Sequence, residues 1–298
     1  KTKTEAQQAE YEAVSKQLKG YNLDKENLTF KILAEMFLET CKNKSKSINR
    51  NYNNSFNNHL GYFHNIRIKD ISSLLIEKWI NECGKTPPTI EECVKFCKAV
   101  FNYGIKHDIV VKNPFLRLEK PKSIPKDWKR LSIDEALKLL RECKKIYPDF
   151  YPILATQIFT GMREGELLAI KWKDIDFKNG KLKIQRQYTQ GELKETLKTS
   201  SSYRTIDICP TLVKIIKHHR KQQAKINEFV FTNSKGNLHN PRNLIQRRFE
   251  PLLKKIYGDK KYMRFYDLRG TYVDILLSQG IPLKYIQSQV GHSNFLST

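Results

Sequence analysis

Residues 160–176 read TGMREGELLAIKWKDID, and this stretch decides more about the fold than any other. The apolar residues 149–160 predict a helix that ends at Gly161, and residues 164–170 predict a second helix that begins almost at once. Arg163 would then lie at a helix N-terminus beside a sharp turn, where backbone N–H groups favour an anion. Taken alone, Arg163 is better interpreted as a surface arginine at the start of a helix.

The sequence on either side of this stretch predicts a domain that mixes helices with a small sheet. Alternating residues at 181–188 and 204–208 predict two antiparallel strands joined by a long polar tip. A capping-box pattern at Ser132 opens a helix to about Cys143. Further elements are predicted after the strands: helices at 211–225, 241–256, 267–279 and 282–290, and a short strand at 229–231. Residues 131–298 therefore predict an α+β domain.

The sequence before this domain is helical throughout. Four helices are predicted at 29–41, 46–59, 70–82 and 89–107, with Pro87-Pro88 as a break. They make residues 27–118 a small helical bundle. Residues 119–130 contain two prolines and several basic side chains, which predict an extended basic interdomain linker. Another helix is predicted at 4–19, so the chain is expected to be mainly α with a small antiparallel sheet.

The chain of 298 residues carries 54 Lys and Arg against 31 Asp and Glu, a net charge of +23. This excess is larger in residues 129–298 and indicates a nucleic acid partner, although a solvated lysine-rich surface is the simpler alternative. No apolar run approaches the ~18 residues of a membrane span. The six cysteines are scattered, and Cys93 and Cys97 lack a second ligand pair. Buried reduced thiols and a cytoplasmic location are therefore predicted.

Several kinds of catalytic motif are absent from the sequence. It contains no Gly-rich phosphate loop ending in Gly-Lys-Ser/Thr, no His-Glu-x-x-His, and no acidic cluster suited to two magnesium ions. Chemistry on a phosphodiester would then depend on cationic side chains. The candidates are Arg163, Lys198 in the hairpin tip, Arg269 and His292. Each is weak alone, since Arg269 could pair with Asp267 or Asp274 and His292 could be a C-cap residue.

Together, and in this order, the four segments resemble the tyrosine recombinases, specifically the integrases of phages and conjugative transposons. Residues 160–176 resemble the first arginine box, and residues 197–206 resemble the hairpin that carries the family's lysine. Residues 266–271, YDLRGT, resemble the second box, which is usually His-x-Leu-Arg-His-Thr. Residues 286–293 resemble the last helix and its Gly-His pair. The resemblance extends from about residue 27 onward.

The resemblance implies a domain organisation. Residues 27–118 would be the helical core-binding DNA domain, 119–130 the basic linker, and 131–298 the catalytic domain, incomplete at its C-terminus. Residues 1–26 would be a helical remnant that follows an absent arm-binding domain.

The resemblance also implies a mechanism that needs no metal and no cofactor. Arg163 and Arg269 would bind the non-bridging oxygens of one scissile phosphate. Lys198 would protonate the leaving 5′-oxygen, and His292 would donate a hydrogen bond to the phosphate. A tyrosine would attack, giving a 3′-phosphotyrosyl intermediate in a site-specific recombination of duplex DNA.

The sequence departs from the family pattern in the second box and at the nucleophile. Tyr266 replaces the usual histidine of the second box, where it is expected to hydrogen-bond the phosphate or orient the nucleophile. Gly270 replaces another histidine of that box, a change expected to matter less. The nucleophilic tyrosine is expected about nine residues after His292, just beyond Thr298. The chain as given is therefore expected to bind DNA without cleaving it.

The resemblance implies partners as well. These are double-stranded DNA at element ends or attachment sites, a homo-tetramer in the synaptic complex, and an accessory DNA-bending or excision factor, with no membrane. A bacterial or phage-encoded, nucleoid-associated protein is expected. The side chains predicted to contact DNA are Lys44, Lys46, Arg50, Lys122, Lys126, Arg130, Thr199 and Arg242. The alternatives are a non-catalytic integrase-derived DNA-binding regulator and a non-specific RNA-binding protein.

Overall fold

The computed structural model describes residues 27–118, 129–195, 203–223, 227–258 and 263–291. The chain divides into two units, residues 1–125 and 126–298, each with its own hydrophobic core. The predicted helix at 4–19 and all but the last two residues of the predicted linker lie outside the described residues.

The N-terminal unit is helical, as the periodicity of its sequence predicts. Its helices are α1 (Phe30–Thr40), α2 (Lys46–His59), α3 (Ser73–Glu82) and α4 (Pro87–Lys106). Short 3₁₀ turns at Gly61–Phe63 and Ile68–Asp70 join α2 to α3. Buried aromatic rings fill the space between the helices, and they include Phe30, Phe63, Phe96, Phe101 and Phe115.

Two predicted helix boundaries in this unit are wrong. The helix predicted at 70–82 begins at Ser73, because the Ser72 hydroxyl caps it by accepting a hydrogen bond from the Leu75 N–H at 3.2 Å. The predicted break at Pro87-Pro88 is instead the first turn of α4. Proline fits there because the first N–H groups of a helix have no intrahelical acceptor.

The C-terminal unit contains the remaining helices and all the strands of the described residues. The helices are α5 (Ile133–Ile146), α6 (Tyr151–Thr160), α7 (Glu164–Leu168), α8 (Pro210–Gln222), α9 (Pro241–Leu244), α10 (Glu250–Tyr257), α11 (Asp267–Ser278) and α12 (Leu283–Val290). A π-helical turn, Ile245–Phe249, joins α9 to α10. The strands are β1 (Ile175–Asp176), β2 (Lys181–Ile184), β3 (Gln187–Thr189), β4 (Glu192–Lys194) and β5 (Arg204–Asp207).

The strands form two small antiparallel sheets. β2 lies between β1 and β5, with Leu182 opposite Ile206, while β3 and β4 pair in a second sheet. The pairing of residues 181–184 with 204–207 confirms the predicted hairpin, but the single strand predicted over 181–188 is wrong. The chain leaves the first sheet after Ile184, and Arg186 turns into a buried ion pair with Asp174.

The strand predicted at 229–231 is also wrong. Phe229 forms one isolated bridge to Lys171, and the Val230 N–H donates to the Ile170 carbonyl at 2.8 Å. Val230 and Phe231 are both buried, so the segment does not alternate between two faces as a strand would. With these corrections the predicted fold class, mainly α with small antiparallel sheets, is confirmed.

All six cysteines are free, and four of them, Cys41, Cys93, Cys97 and Cys143, are buried. Burial raises the pKa of the Cys93 thiol to about 11. No group of three or more His, Cys, Asp or Glu side chains in the described ranges is arranged to hold a metal ion. None of the described helices combines the length and the hydrophobicity that crossing a bilayer requires.

Candidate phosphate-binding site

A tight turn between α6 and α7 is the framework of the site. Gly161 ends α6 in the left-handed conformation, with φ of 57°. A Cβ atom at Gly161 would lie 2.6 Å from the ring of Tyr272 on α11, so glycine is required here both by conformation and by space. The turn places Arg163 at the N-cap of α7, as the sequence predicts.

Arg163 is held by contacts that leave its side chain half-exposed. Its backbone N–H donates to Glu166 Oε2 at 3.0 Å, and its Nη1 donates to Glu166 Oε1 at 2.9 Å. Its Nη2 reaches the carbonyl oxygen of Gly291, just past the end of α12, at 3.4 Å. The arginine therefore lies where α7 and α12 meet.

Arg269 lies beside this turn and is buried, with 3% of its surface exposed. Its Nη1 donates to the Gly161 carbonyl at 2.8 Å, and its Nη2 donates to the Val290 carbonyl at 2.5 Å. Its Nε is also buried and has no hydrogen-bond partner among the described residues. Burial, reinforced by the positive charge of Arg163, lowers the pKa of Arg269 to about 10. The surroundings of this guanidinium therefore do not fully compensate its positive charge.

Glu166 is the buried acid under these arginines. Besides Arg163, it binds Arg204 of β5, whose Nη2 and Nη1 donate to its two carboxylate oxygens at 2.8 and 3.1 Å. Burial by itself would raise the pKa of Glu166. The hydrogen bonds and charges of Arg204, with those of Arg163, outweigh burial and hold that pKa below its usual value. Glu166 thus binds two guanidinium groups, and its charge also raises the pKa of Arg269, so one carboxylate serves three positive charges.

The second-box segment adds an exposed phenol and two pairs of opposite charges. Tyr266 precedes α11 and is 53% exposed. Arg264 Nη2 lies 2.6 Å from Asp267 Oδ1, and Arg130 Nε lies 3.4 Å from Asp274 Oδ2. The sequence-based suggestion that Arg269 pairs with one of these aspartates is wrong, because other arginines bind them and Arg269 binds backbone carbonyls.

Arg130 also explains why glycine is accommodated in the second box. A Cβ atom at Gly270 would lie 2.3 Å from the Arg130 Cζ, so the guanidinium occupies the space where a side chain at this position would begin. The adjacent Leu131 N–H donates to the buried Thr271 hydroxyl at 3.2 Å and fixes this segment to α11.

The structure brings Arg163 and Arg269 together, with Tyr266 three residues before Arg269. Lys198, Thr199, His292, Lys122 and Lys126 lie outside the described residues. Of the predicted DNA contacts, Lys46, Arg50 and Arg242 are exposed on helices. Lys44 is exposed and lies over the rings of Phe37 and Tyr52, with its Nζ 5.2 and 5.6 Å from their centroids.

Sequence reasoning missed Glu166 and Arg204. The sequence contained a signal for Glu166, because an acidic residue three positions after the N-cap residue can accept a hydrogen bond from the N-cap N–H. Arg204 carried one as well, because in the alternating strand it shares a face with the apolar Ile206 and Ile208.

A second group of charges, also missed, lies where β4 ends. Lys171 Nζ is 2.9 Å from Glu228 Oε1 and 3.2 Å from Glu195 Oε1, and Arg186 Nε donates to Glu195 Oε2 at 3.0 Å. Lys171 and Arg186 are buried. Two buried cations therefore fix Glu195, the last described residue before Lys198 in the sequence.

Gly161→Ala is expected to lower the free energy of unfolding by about 1–3 kcal/mol, because the new methyl group meets the Tyr272 ring in a left-handed turn. Urea unfolding monitored by circular dichroism measures the change. Gly270→Ala is the matched control. Its methyl group meets only the movable end of Arg130, and alanine favours the helix, so stability should change by less than about 1 kcal/mol. Equal losses in the two variants would contradict the role given to the turn.

Comparison with known proteins matches both units. Residues 129–298 match the phage integrase family, and residues 29–83 match the phage integrase N-terminal SAM-like domain. A tyrosine recombinase XerC-like protein of Caldanaerobacter subterraneus subsp. tengcongensis is 28% identical over 100% of this chain and 85% of its own length.

Two solved structures share the fold. One is the Tn1549 transposon integrase in complex with transposon right end DNA, with a TM-score of 0.79 and 20% identity over 91% of this chain and 93% of that chain. The other is a lambda integrase tetramer bound to a Holliday junction, with a TM-score of 0.71 and 17% identity over 99% and 88% of the two chains.

The helical N-terminal unit and the α+β C-terminal unit, each matched by an integrase domain, define a protein of the integrase class. The chain belongs to the phage integrase family, the tyrosine recombinases. The family predicted from the four sequence segments is confirmed.

Proposed function

We propose that this protein is a site-specific DNA recombinase of a mobile element that cuts and rejoins duplex DNA through a 3′-phosphotyrosyl intermediate. The observation that carries the proposal is the state of Arg269. Its guanidinium is buried, its pKa is lowered, and its Nε has no partner among the described residues. It donates to the Gly161 carbonyl in the turn that carries Arg163, so a second arginine lies close by. A dianionic transition state of a phosphodiester supplies the charge and the acceptors that this pair lacks.

Arg163 and Arg269 hold the non-bridging oxygens of the scissile phosphate in this mechanism. Arg269 is fixed by two backbone carbonyls and Arg163 by Glu166, so both guanidinium groups are oriented before DNA binds. Such preorganised charge stabilises a transition state without reorganisation during the reaction.

The remaining roles rest on the resemblance to the family. Lys198 protonates the leaving 5′-oxygen, and His292 donates to the phosphate. Tyr266 is exposed beside Arg269 and hydrogen-bonds the phosphate or orients the nucleophile, since a phenol is a poor base at neutral pH. The attacking tyrosine lies about nine residues after His292, past Thr298. No step calls for a metal or another cofactor.

The proposed substrate is duplex DNA, bound by residues 27–118 as core-binding domain and residues 131–298 as catalytic domain, joined by residues 119–130. The net charge of +23 supports this substrate. The lambda integrase tetramer bound to a Holliday junction and the Tn1549 integrase complex with transposon right end DNA support a tetramer on element ends. An accessory DNA-bending or excision factor stays a prediction of the resemblance.

Covalent trapping tests the proposal. The full-length protein is incubated with a nicked suicide duplex of its element end, and a denaturing gel detects a protein–DNA adduct. We expect an adduct that protease converts to a DNA-linked peptide containing a tyrosine later than Thr298. Tight binding without an adduct would support the second candidate, a non-catalytic integrase-derived DNA-binding regulator, which the replacement of histidine by Tyr266 favours.

Duplex binding is expected to weaken by about 10³-fold or more between 50 and 200 mM salt, because a protein that contacts many phosphates releases as many counterions. Fluorescence anisotropy with a labelled duplex measures the slope. An affinity that is the same at both salt concentrations would contradict a phosphate-binding surface on either unit.

A further inference from the structure

Helix α2 (Lys46–His59) exposes a polar stripe on a different face from its buried residues. Lys46, Arg50, Asn53 and Asn57 recur at intervals of three and four residues, which places them on one face of a helix. All four are exposed, whereas Ser55 and Phe56 on another face are buried. These four residues are the α2 stripe.

The composition of this helix is not explained by helix stability. Six of its 14 residues are asparagine, which is a poor helix former because its amide competes with the backbone for hydrogen bonds. Residues 41–66 also contain four basic side chains and no Asp or Glu. The stripe therefore combines amides with positive charge, a surface complementary to the groove of a nucleic acid duplex.

The hydrogen bonds on α2 occupy some of its amides but leave the two amides of the stripe able to bind a partner. Asn58 donates to Asn54, and Asn54 lies 3.3 Å from the His59 ring nitrogen, so these side chains bind each other. Asn53 donates one N–H to the Asn49 carbonyl at 2.8 Å, which orients its amide and leaves its oxygen and its second N–H. Asn57 forms no hydrogen bond within the described part of the chain.

The spacing fits the edges of stacked bases. Asn53 and Asn57 are one turn apart, which is about 6 Å along the helix axis. An asparagine amide pairs with adenine through N6 and N7, and an arginine pairs with guanine through O6 and N7, both in the major groove. A lysine at the start of the helix is suited to a phosphate.

We propose that the α2 stripe determines the DNA sequence this protein recognises, with Asn53 and Asn57 reading adenine, Arg50 reading guanine and Lys46 binding the backbone. The proposal rests on the proposed function in needing duplex DNA as the substrate. The proposed base recognition does not depend on the catalytic residues. An experiment can therefore contradict it without contradicting the proposed function, and the reverse is also true.

The test is selection of duplexes from a random library by the full-length protein and by single-alanine variants. In Asn53→Ala and Asn57→Ala we expect the preference for adenine to be lost at one position each, by about 5- to 150-fold in competition against the other bases. The slope of affinity against salt should not change. Arg50→Ala should lose a preference for guanine nearby.

Asn51→Ala is the matched control, because Asn51 is an exposed asparagine on a different face of the same helix. It should select the wild-type sequence, and alanine should not disturb the helix in any variant. The proposal is overturned if the two stripe variants select the wild-type sequence, or if they weaken binding equally on all sequences. The proposed function is tested by a separate measurement, which is adduct formation by the wild-type protein on its element end.

Discussion

Arg269→Lys is expected to lower the rate of strand cleavage by about 10²–10³-fold in the full-length protein, while duplex binding is largely retained. Arg269 uses two nitrogens on the Gly161 and Val290 carbonyls and keeps Nε without a partner among the described residues. A lysine ammonium is a point charge that cannot reproduce this planar arrangement. Single-turnover cleavage of a suicide duplex measures the rate, and anisotropy measures binding.

Arg248→Lys is the control, since Arg248 belongs to the same unit but forms a surface pair with Asp149 at 3.0 Å. It should cleave at the wild-type rate, because exposed ion pairs contribute little. Thermal unfolding checks that Arg269→Lys remains folded. A folded Arg269→Lys variant that cleaves as fast as Arg248→Lys would remove Arg269 from the mechanism.

Glu166→Gln is expected to lower the free energy of unfolding at neutral pH by about 3–5 kcal/mol, because it leaves the guanidinium groups of Arg163, Arg204 and Arg269 without a buried counter-charge. The folded state depresses the pKa of Glu166 below its usual 4.5. The stability from its charge is therefore present above pH 4.5 and is lost as pH falls through the lower, folded-state pKa. Urea unfolding of both proteins between pH 7 and pH 3 should show the difference shrinking only below pH 4.5.

Glu164→Gln is the control, because the pKa of Glu164, two residues away, is shifted in the opposite direction. Burial raises the pKa of Glu164, and one of its buried oxygens has no hydrogen-bond partner among the described residues. Its charge therefore opposes folding at neutral pH, so the neutral amide should leave stability unchanged or increase it, and this gain should vanish at low pH. If both variants were destabilised alike at neutral pH, the charge balance assigned to Glu166 would be wrong.

Much of this fold follows from local sequence. The apolar spacing of residues 30–40 and 46–59 predicts α1 and α2 because one face of each helix is buried. The alternation at 181–184 and 204–207 predicts the hairpin for the same reason. The predicted helix starts at residues 70 and 89 were wrong because the Ser72 cap and the prolines of a first turn, rather than hydrophobic spacing, set where these two helices begin.

The site was predictable only in part. Arg163 and Arg269 belong to segments whose order identifies the family. Their residue types and sequence neighbours were therefore sufficient to predict them as site residues. The sequence does not show that Arg130 fills the space above Gly270, because 140 residues separate these positions. The same holds for the buried ion pair of Arg186 with Asp174, which joins residues 12 positions apart in the chain.

By itself, the sequence determined the two-part organisation, the helical and alternating segments, the basic surface and the family. These depend on which face of each element is buried and on residues close together in the chain. Only the tertiary structure decided that Arg204 and Glu166, 38 residues apart, share an ion pair, and that Arg269 spans the ends of α6 and α12. Such contacts depend on how elements pack, and a buried charge finds its partner through that packing rather than through any local pattern.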